Sequence, residues 1–124
     1  MNKRVDLKQV MMMLEALPTV DTDGNIEVDE DNKPVFRPYY VDEAGNPLSL
    51  GQVCARALVQ MDEAVGKLDG DQKKHRWSLA KAIIQKDFFV FKDKEDFELI
   101  KELVTTIWST PIAAQALEML GEAE

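Results

Sequence analysis

Leu7, Val10, Met11, Leu14 and Leu17 recur at three- and four-residue intervals, the period of one helix face. Asp6 stands where a capping residue would, Gln9 follows three positions later, and Pro18 disfavours helical geometry at Leu17. The spacing predicts a first helix over about residues 7–16, within an N-terminal segment 1–19. Met11, Met12 and Met13 put flexible thioethers on and beside its apolar face; core filling is the commoner use of such a cluster, an adaptable binding surface the other.

From Val20 to Leu48 the pattern changes. Val20 to Ile26, Val28 to Val35 and Val41 to Leu48 are each a valine, an acidic turn and a return to an apolar residue, loosely an internal repeat. Asx side chains and glycine supply tight-turn geometry, so these units punctuate short strands. Between the last two turns, Val35, Arg37, Tyr39 and Val41 alternate with Phe36, Pro38 and Tyr40 at strand period, and Pro38 confines that strand to an edge or a bulge.

The remainder reads as helix. Ser49 and Gln52 form a capping box ahead of Leu50, Val53, Cys54, Ala57, Leu58 and Met61. Gly66 and Asp69-Gly70 break this helix, and a further one is predicted from about Asp71 to Lys86, with Trp77, Ala80 and Ile84 inward, helped by Leu79 or Ile83. Phe88 to Phe91 suits a short strand or buried connector. Asp93 caps a helix bearing Phe97, Ile100, Val104, Ile107 and Trp108 on one side, Thr110-Pro111 restarts it, and Gly121 ends it. The expectation is a single α+β domain over 1–124, mostly helical with four to five helices: an N-terminal helix in 1–19, a small acidic β-hairpin or meander in 20–48, and a helical core in 49–124.

Charge sharpens this picture. Asp21, Asp23, Glu27, Asp29, Glu30, Asp31, Asp42 and Glu43 face only Lys33 and Arg37 in the same stretch, which therefore holds six of the chain's eight net negative charges. A field of one sign attracts basic partners and repels phosphate backbones. The 45% apolar and 31% charged content is that of an ordinary globular chain. A lone Cys54 cannot form an internal disulfide, and no apolar run has signal-peptide form or membrane-spanning length. The expectation is a cytoplasmic protein without membrane contact.

Reactive chemistry is hard to assemble from these residues. Asp21, Asp23 and Asn25 match the first, third and fifth positions of a calcium loop, but Ile26 stands where glycine is required and Asn32 where a bidentate glutamate should sit. Zinc would need carboxylates to complete a site around one cysteine and one histidine. His75, among Lys73, Lys74 and Arg76, reads as a surface residue rather than a general base, and Cys54 lies on the inward face of its helix as a small buried hydrophobe. No particular carboxylate pair is nominated for acid–base work. Lys73, Lys74, Arg76, Lys81 and Lys86 make one helix basic, yet the overall charge of −8 opposes direct nucleic-acid binding. Neither a cofactor nor a metal is expected.

Two segments carry a likeness. Asn46-Pro47-Leu48-Ser49-Leu50-Gly51-Gln52-Val53, running into Ala57-Leu58, resembles the proline-leucine-threonine-leucine-glycine entry to the first long helix of small proteins encoded by tailed bacteriophages and prophages. Ile107 to Glu118 is similar to their C-terminal pattern of an aromatic residue, a proline, small apolar residues, glutamine and leucine-glutamate; Ala114 stands where that pattern has glycine. The resemblance covers roughly 46–120 and implies a viral or prophage origin, in the host cytoplasm, with no catalytic residues. The leading expectation is a non-enzymatic interaction protein that presents the eight carboxylates to a basic surface on a phage or host protein, for instance by mimicking the charge of DNA. The alternative is a morphogenesis factor such as a tail-assembly chaperone, its Met-rich first helix covering an apolar patch on a virion protein.

Overall fold

The structure, a computed structural model, describes residues 2–60 and 68–121. Among them the chain forms four helices and four strands in two small antiparallel sheets, an α+β domain. Strand β1 (Lys3–Asp6) pairs with β4 (Phe88–Phe91), and β2 (Met12–Pro18) pairs with β3 (Phe36–Tyr39). Helices α1 (Leu50–Val59), α2 (Gly70–Ile84), α3 (Lys94–Ile107) and α4 (Thr110–Gly121) supply most of the core.

Helix α1 is the hub. Ser49 caps it in the expected box with Gln52, and Leu50, Val53, Cys54, Ala57 and Leu58 are buried against α2, α3 and α4. Gly51 is required here by proximity: its N–H donates to the Leu7 carbonyl, and a Cβ at this position would lie 3.2 Å from that of Leu7. Trp108, at the end of α3, donates its indole N–H to the Val53 carbonyl, tying α3 to the hub. Phe88–Phe91 is a strand, Asp93 caps α3, and α4 runs from Thr110 to Gly121, all as expected; Ile107 is half-buried at the core margin. Met61 and the Gly66 break fall outside the described residues.

The first helix does not form. In its place the chain makes β1, a turn and β2. Asp6 accepts from the Lys8 N–H and Gln9 donates back to the Asp6 carbonyl, closing a turn rather than opening a helix. The backbone that a helix would use internally is bonded elsewhere: Leu7 N–H to Asp87, Met11 N–H to Leu48, and Met12 N–H to the Gln115 side chain. An isolated helix of that length is marginal in water, so these long-range bonds prevail over spacing. Leu7 and Met11 are buried as the period suggested, whereas Leu14 and Leu17 are exposed.

In α2 the phase differs from expectation. Leu79, Ala80 and Ile83 face the core, while Trp77 and Ile84 are 57% and 49% exposed. Apolar residues at 77, 79, 80, 82, 83 and 84 encircle this helix, so periodicity alone cannot choose its buried side.

Residues 12–47 form an arm built from branching hairpins. Val20 bridges to Ile26, Val28 to Pro34 and Val41 to Pro47, each enclosing a turn that begins with aspartate. At the base of the arm, Met11 N–H donates to Leu48, Leu48 N–H to Tyr40, and Tyr40 N–H to Met11, a closed ring of three backbone bonds. Thr19, Val35 and Glu27 repeat that ring farther out, where β2–β3 divides into the hairpins 20–26 and 28–34. Each ring satisfies three N–H and three C=O groups at a point where one two-stranded ribbon divides into two.

Core and arm differ in how deeply their leucines are set. Leu58→Ala is expected to cost about 2–5 kcal/mol in urea titration, the usual range for emptying a packed site. Leu14→Ala should change stability by less than about 0.5 kcal/mol, as for an open surface position.

Candidate functional site

The three acidic turns share one geometry. Asp21, Asp29 and Asp42 each accept, at their carbonyl, from the N–H three residues on: Gly24, Asn32 and Gly45. Their Oδ1 atoms each take two further backbone N–H groups, from Asp23 and Asn25, Asp31 and Lys33, and Ala44 and Asn46, at 2.9–3.0 Å. The fourth turn residue is left-handed in every case, with φ of +84° at Gly24 and Gly45 and +61° at Asn32. This is a tight turn closed by an αL residue, where glycine or asparagine is tolerated. The loose repeat seen in the sequence is thus a threefold repeat of one hairpin.

That geometry divides the eight candidate carboxylates into three sets. Asp21, Asp29 and Asp42 hold their own turns. Asp42 is further tied to the core, since its Oδ2 accepts from Gln52 Nε2 at 2.7 Å while Gln52 also caps α1. The Gln52 bond, followed by the Asn46 N–H, lowers the Asp42 pKa below its ordinary value. Glu27 lies within 3.3 Å of the Thr19 hydroxyl, and Glu43 reaches Arg56 at 4.0 Å. Asp23, Glu30 and Asp31 are exposed on the turn tips, where their charge is presented to solvent. The Asp21, Asp23 and Asn25 set considered for calcium is drawn into a hairpin in which Asp21 Oδ1 already accepts two N–H groups. Among the described residues no three potential ligands converge on a metal position.

Carboxylates are not the arm's main oddity. Of the eleven large apolar side chains exposed on the described surface, seven belong to it: Met12, Leu14, Leu17, Val20, Ile26, Val28 and Phe36. Leu14 is 98% exposed. The cause is a bulge: Met12 pairs with Tyr39 and Leu17 with Arg37, so residues 13–16 oppose Pro38 alone. Proline has no N–H to continue the ladder, and the facing strand loops outward. Gln115 of α4 fixes the bulge's near end, receiving the Met12 N–H at 2.7 Å and donating to the Met12 carbonyl at 2.6 Å. Beside the far end, Arg37 keeps a buried Nε without a hydrogen-bond partner among the described residues. A concentration of exposed apolar side chains in one arm is a feature of interaction sites.

Elsewhere, His75 Nε2 lies 2.6 Å from Asp96 Oδ1, joining α2 to the first turn of α3. The sequence offered no sign of this pair across 21 positions beyond Asp96 sitting one turn into a capped helix. Cys54 is no companion nucleophile for it: burial pushes that thiol up to about 12.

The Asp42–Gln52 link gives a pH-dependent prediction. A carboxyl held below its unfolded pKa stabilises the fold above that unfolded value, and the contribution disappears as pH falls through the folded pKa. Asp42→Asn should therefore lower the melting temperature at neutral pH, with the gap to wild type closing below the ordinary carboxylate range. Thermal denaturation of both proteins across acid pH checks this.

No family model, curated protein or solved structure matches the chain, so its function is argued from its own geometry.

Proposed function

We propose that this chain is a non-enzymatic protein–protein interaction module whose arm engages a protein with a basic surface, belonging to a bacteriophage or its host. The observation that carries the reading is Leu14, almost wholly exposed on a bulge clamped by Gln115, in an arm whose residues 21–43 hold six of the chain's eight net negative charges. Exposed apolar area supplies the association energy. The free carboxylates of Asp23, Glu30 and Asp31 steer the encounter, since rim charges act mainly on association rate.

A pure charge mimic of DNA would need only the carboxylates. The apolar strip of the arm favours a partner with a mixed basic and apolar surface. It equally supports the second reading, an assembly factor such as a tail-assembly chaperone, with the bulge rather than a methionine helix covering the virion protein. Met11 is buried and Met12 lies on β2, so a Met-rich helical face is no longer its basis. Direct nucleic-acid binding by the arm is opposed by its charge.

Capture of proteins from a bacterial lysate on immobilised wild type and variants tests the reading at two ionic strengths. Leu14→Asp should abolish specific capture at both. Asp23→Asn, Glu30→Gln and Asp31→Asn combined should slow association and flatten its salt dependence, because screening no longer has these charges to act on. Unchanged capture by both variants would remove the arm from the binding mechanism.

A further inference from the structure

Helix α2 carries a surface opposite in charge to the arm. Lys73, Trp77, Lys81 and Ile84 fall at i, i+4, i+8 and i+11 and share one exposed face, with Lys74 at its border. Lys81 Nζ lies 6.0 Å from the Trp77 ring centroid. Trp77 is the largest apolar side chain exposed anywhere on the described surface. Among the described residues no carboxylate lies within ion-pair distance of Lys73, Lys74 or Lys81, and no cation lies within that distance of Asp23, Glu30 or Asp31.

We propose that the Trp77 face of α2 receives the arm of a second copy of this chain, Leu14 and Leu17 packing against Trp77 and Ile84 while the acidic turn tips lie toward Lys73, Lys74 and Lys81. The inference rests on the reading of the arm as the binding element and names one partner for it. Charge complementarity selects the occupant. A partner for α2 must bring exposed apolar side chains together with free carboxylates, and the arm carries both. The arm cannot serve its own chain, because β2 packs on α4 through Gln115 whereas α2 packs on α1 and β4, leaving Trp77 uncovered. Arm-to-helix contact joins two different surfaces, so it either closes on itself, as a reciprocal two-fold dimer or a larger ring, or runs on as an open filament.

Analytical ultracentrifugation of the whole chain tests this directly. Wild type should rise at least twofold in mass over a roughly hundredfold increase in concentration, as weak association requires. Leu14→Asp, without a working arm, and Lys73→Glu with Lys81→Glu, without a working face, should each stay monomeric. Their equimolar mixture should form a one-to-one heterodimer and grow no further, because only one productive contact is left. Circular dichroism confirms that each variant is folded, and Leu14→Ser replaces Leu14→Asp if it is not. A wild type that stays monomeric, variants that still self-associate, or a mixture that forms no heterodimer would overturn the proposal. A monomeric wild type that still captures lysate proteins through Leu14 would overturn it while leaving the arm's binding role intact. A monomeric wild type whose Trp77 fluorescence is quenched by a single-stranded oligonucleotide would overturn it and give the face to nucleic acid, which uses the same pairing of cations and aromatic rings.

Discussion

The ring of backbone hydrogen bonds among Met11, Tyr40 and Leu48 is the joint on which the molecule depends. It lies where the arm meets the core: Met11 and Leu48 are buried, and their N–H and C=O groups have no water to fall back on. A buried backbone group left without a partner forfeits its full hydration, so the ring holds three chain segments in one register. Ser49 begins α1 one residue after Leu48, and Gln115 grips Met12 one residue after Met11. The hub helix, the C-terminal helix and the arm are therefore indexed to the same three residues.

Outside that joint the arm is held by local chemistry. Each hairpin closes through its own aspartate, which converts a charge into the acceptor for two backbone donors. Charge-assisted bonds to N–H groups are among the stronger ones available to a short turn. Apolar burial contributes little there, as residues 20–34 are exposed throughout. The core is the reverse case: its buried side chains are all apolar among the described residues, and its stability comes from area removed from water.

This division explains what could be read from the sequence. The Ser49–Gln52 capping box, the edge role of Pro38, the strand at Phe88–Phe91 and the burial of Cys54 depend on neighbours within a few positions, and all were legible. The acidic turns were legible as turns, although not as three copies of one geometry, because the αL position is glycine twice and asparagine once. The N-terminal segment was not legible. Its spacing mimics a helix, and what decides its conformation is bonded to residues 29 to 103 positions away. The α2 face was missed for a different reason: apolar residues surround that helix, so only its packing on α1 reveals that Trp77 faces outward. The proposed surfaces lie in these two misread segments, where long-range hydrogen bonds hold the Leu14 bulge and packing on α1 turns Trp77 outward.

The repeated turn separates two kinds of information in the chain. In each copy the first residue and the left-handed residue determine the geometry, while the positions between them, Thr22 and Asp23, Glu30 and Asp31, Glu43 and Ala44, contribute no side-chain bond to the turn itself. Those tips form an alphabet that can be rewritten without redrawing the scaffold: six letters on a fixed frame, free to drift toward whatever surface the arm meets.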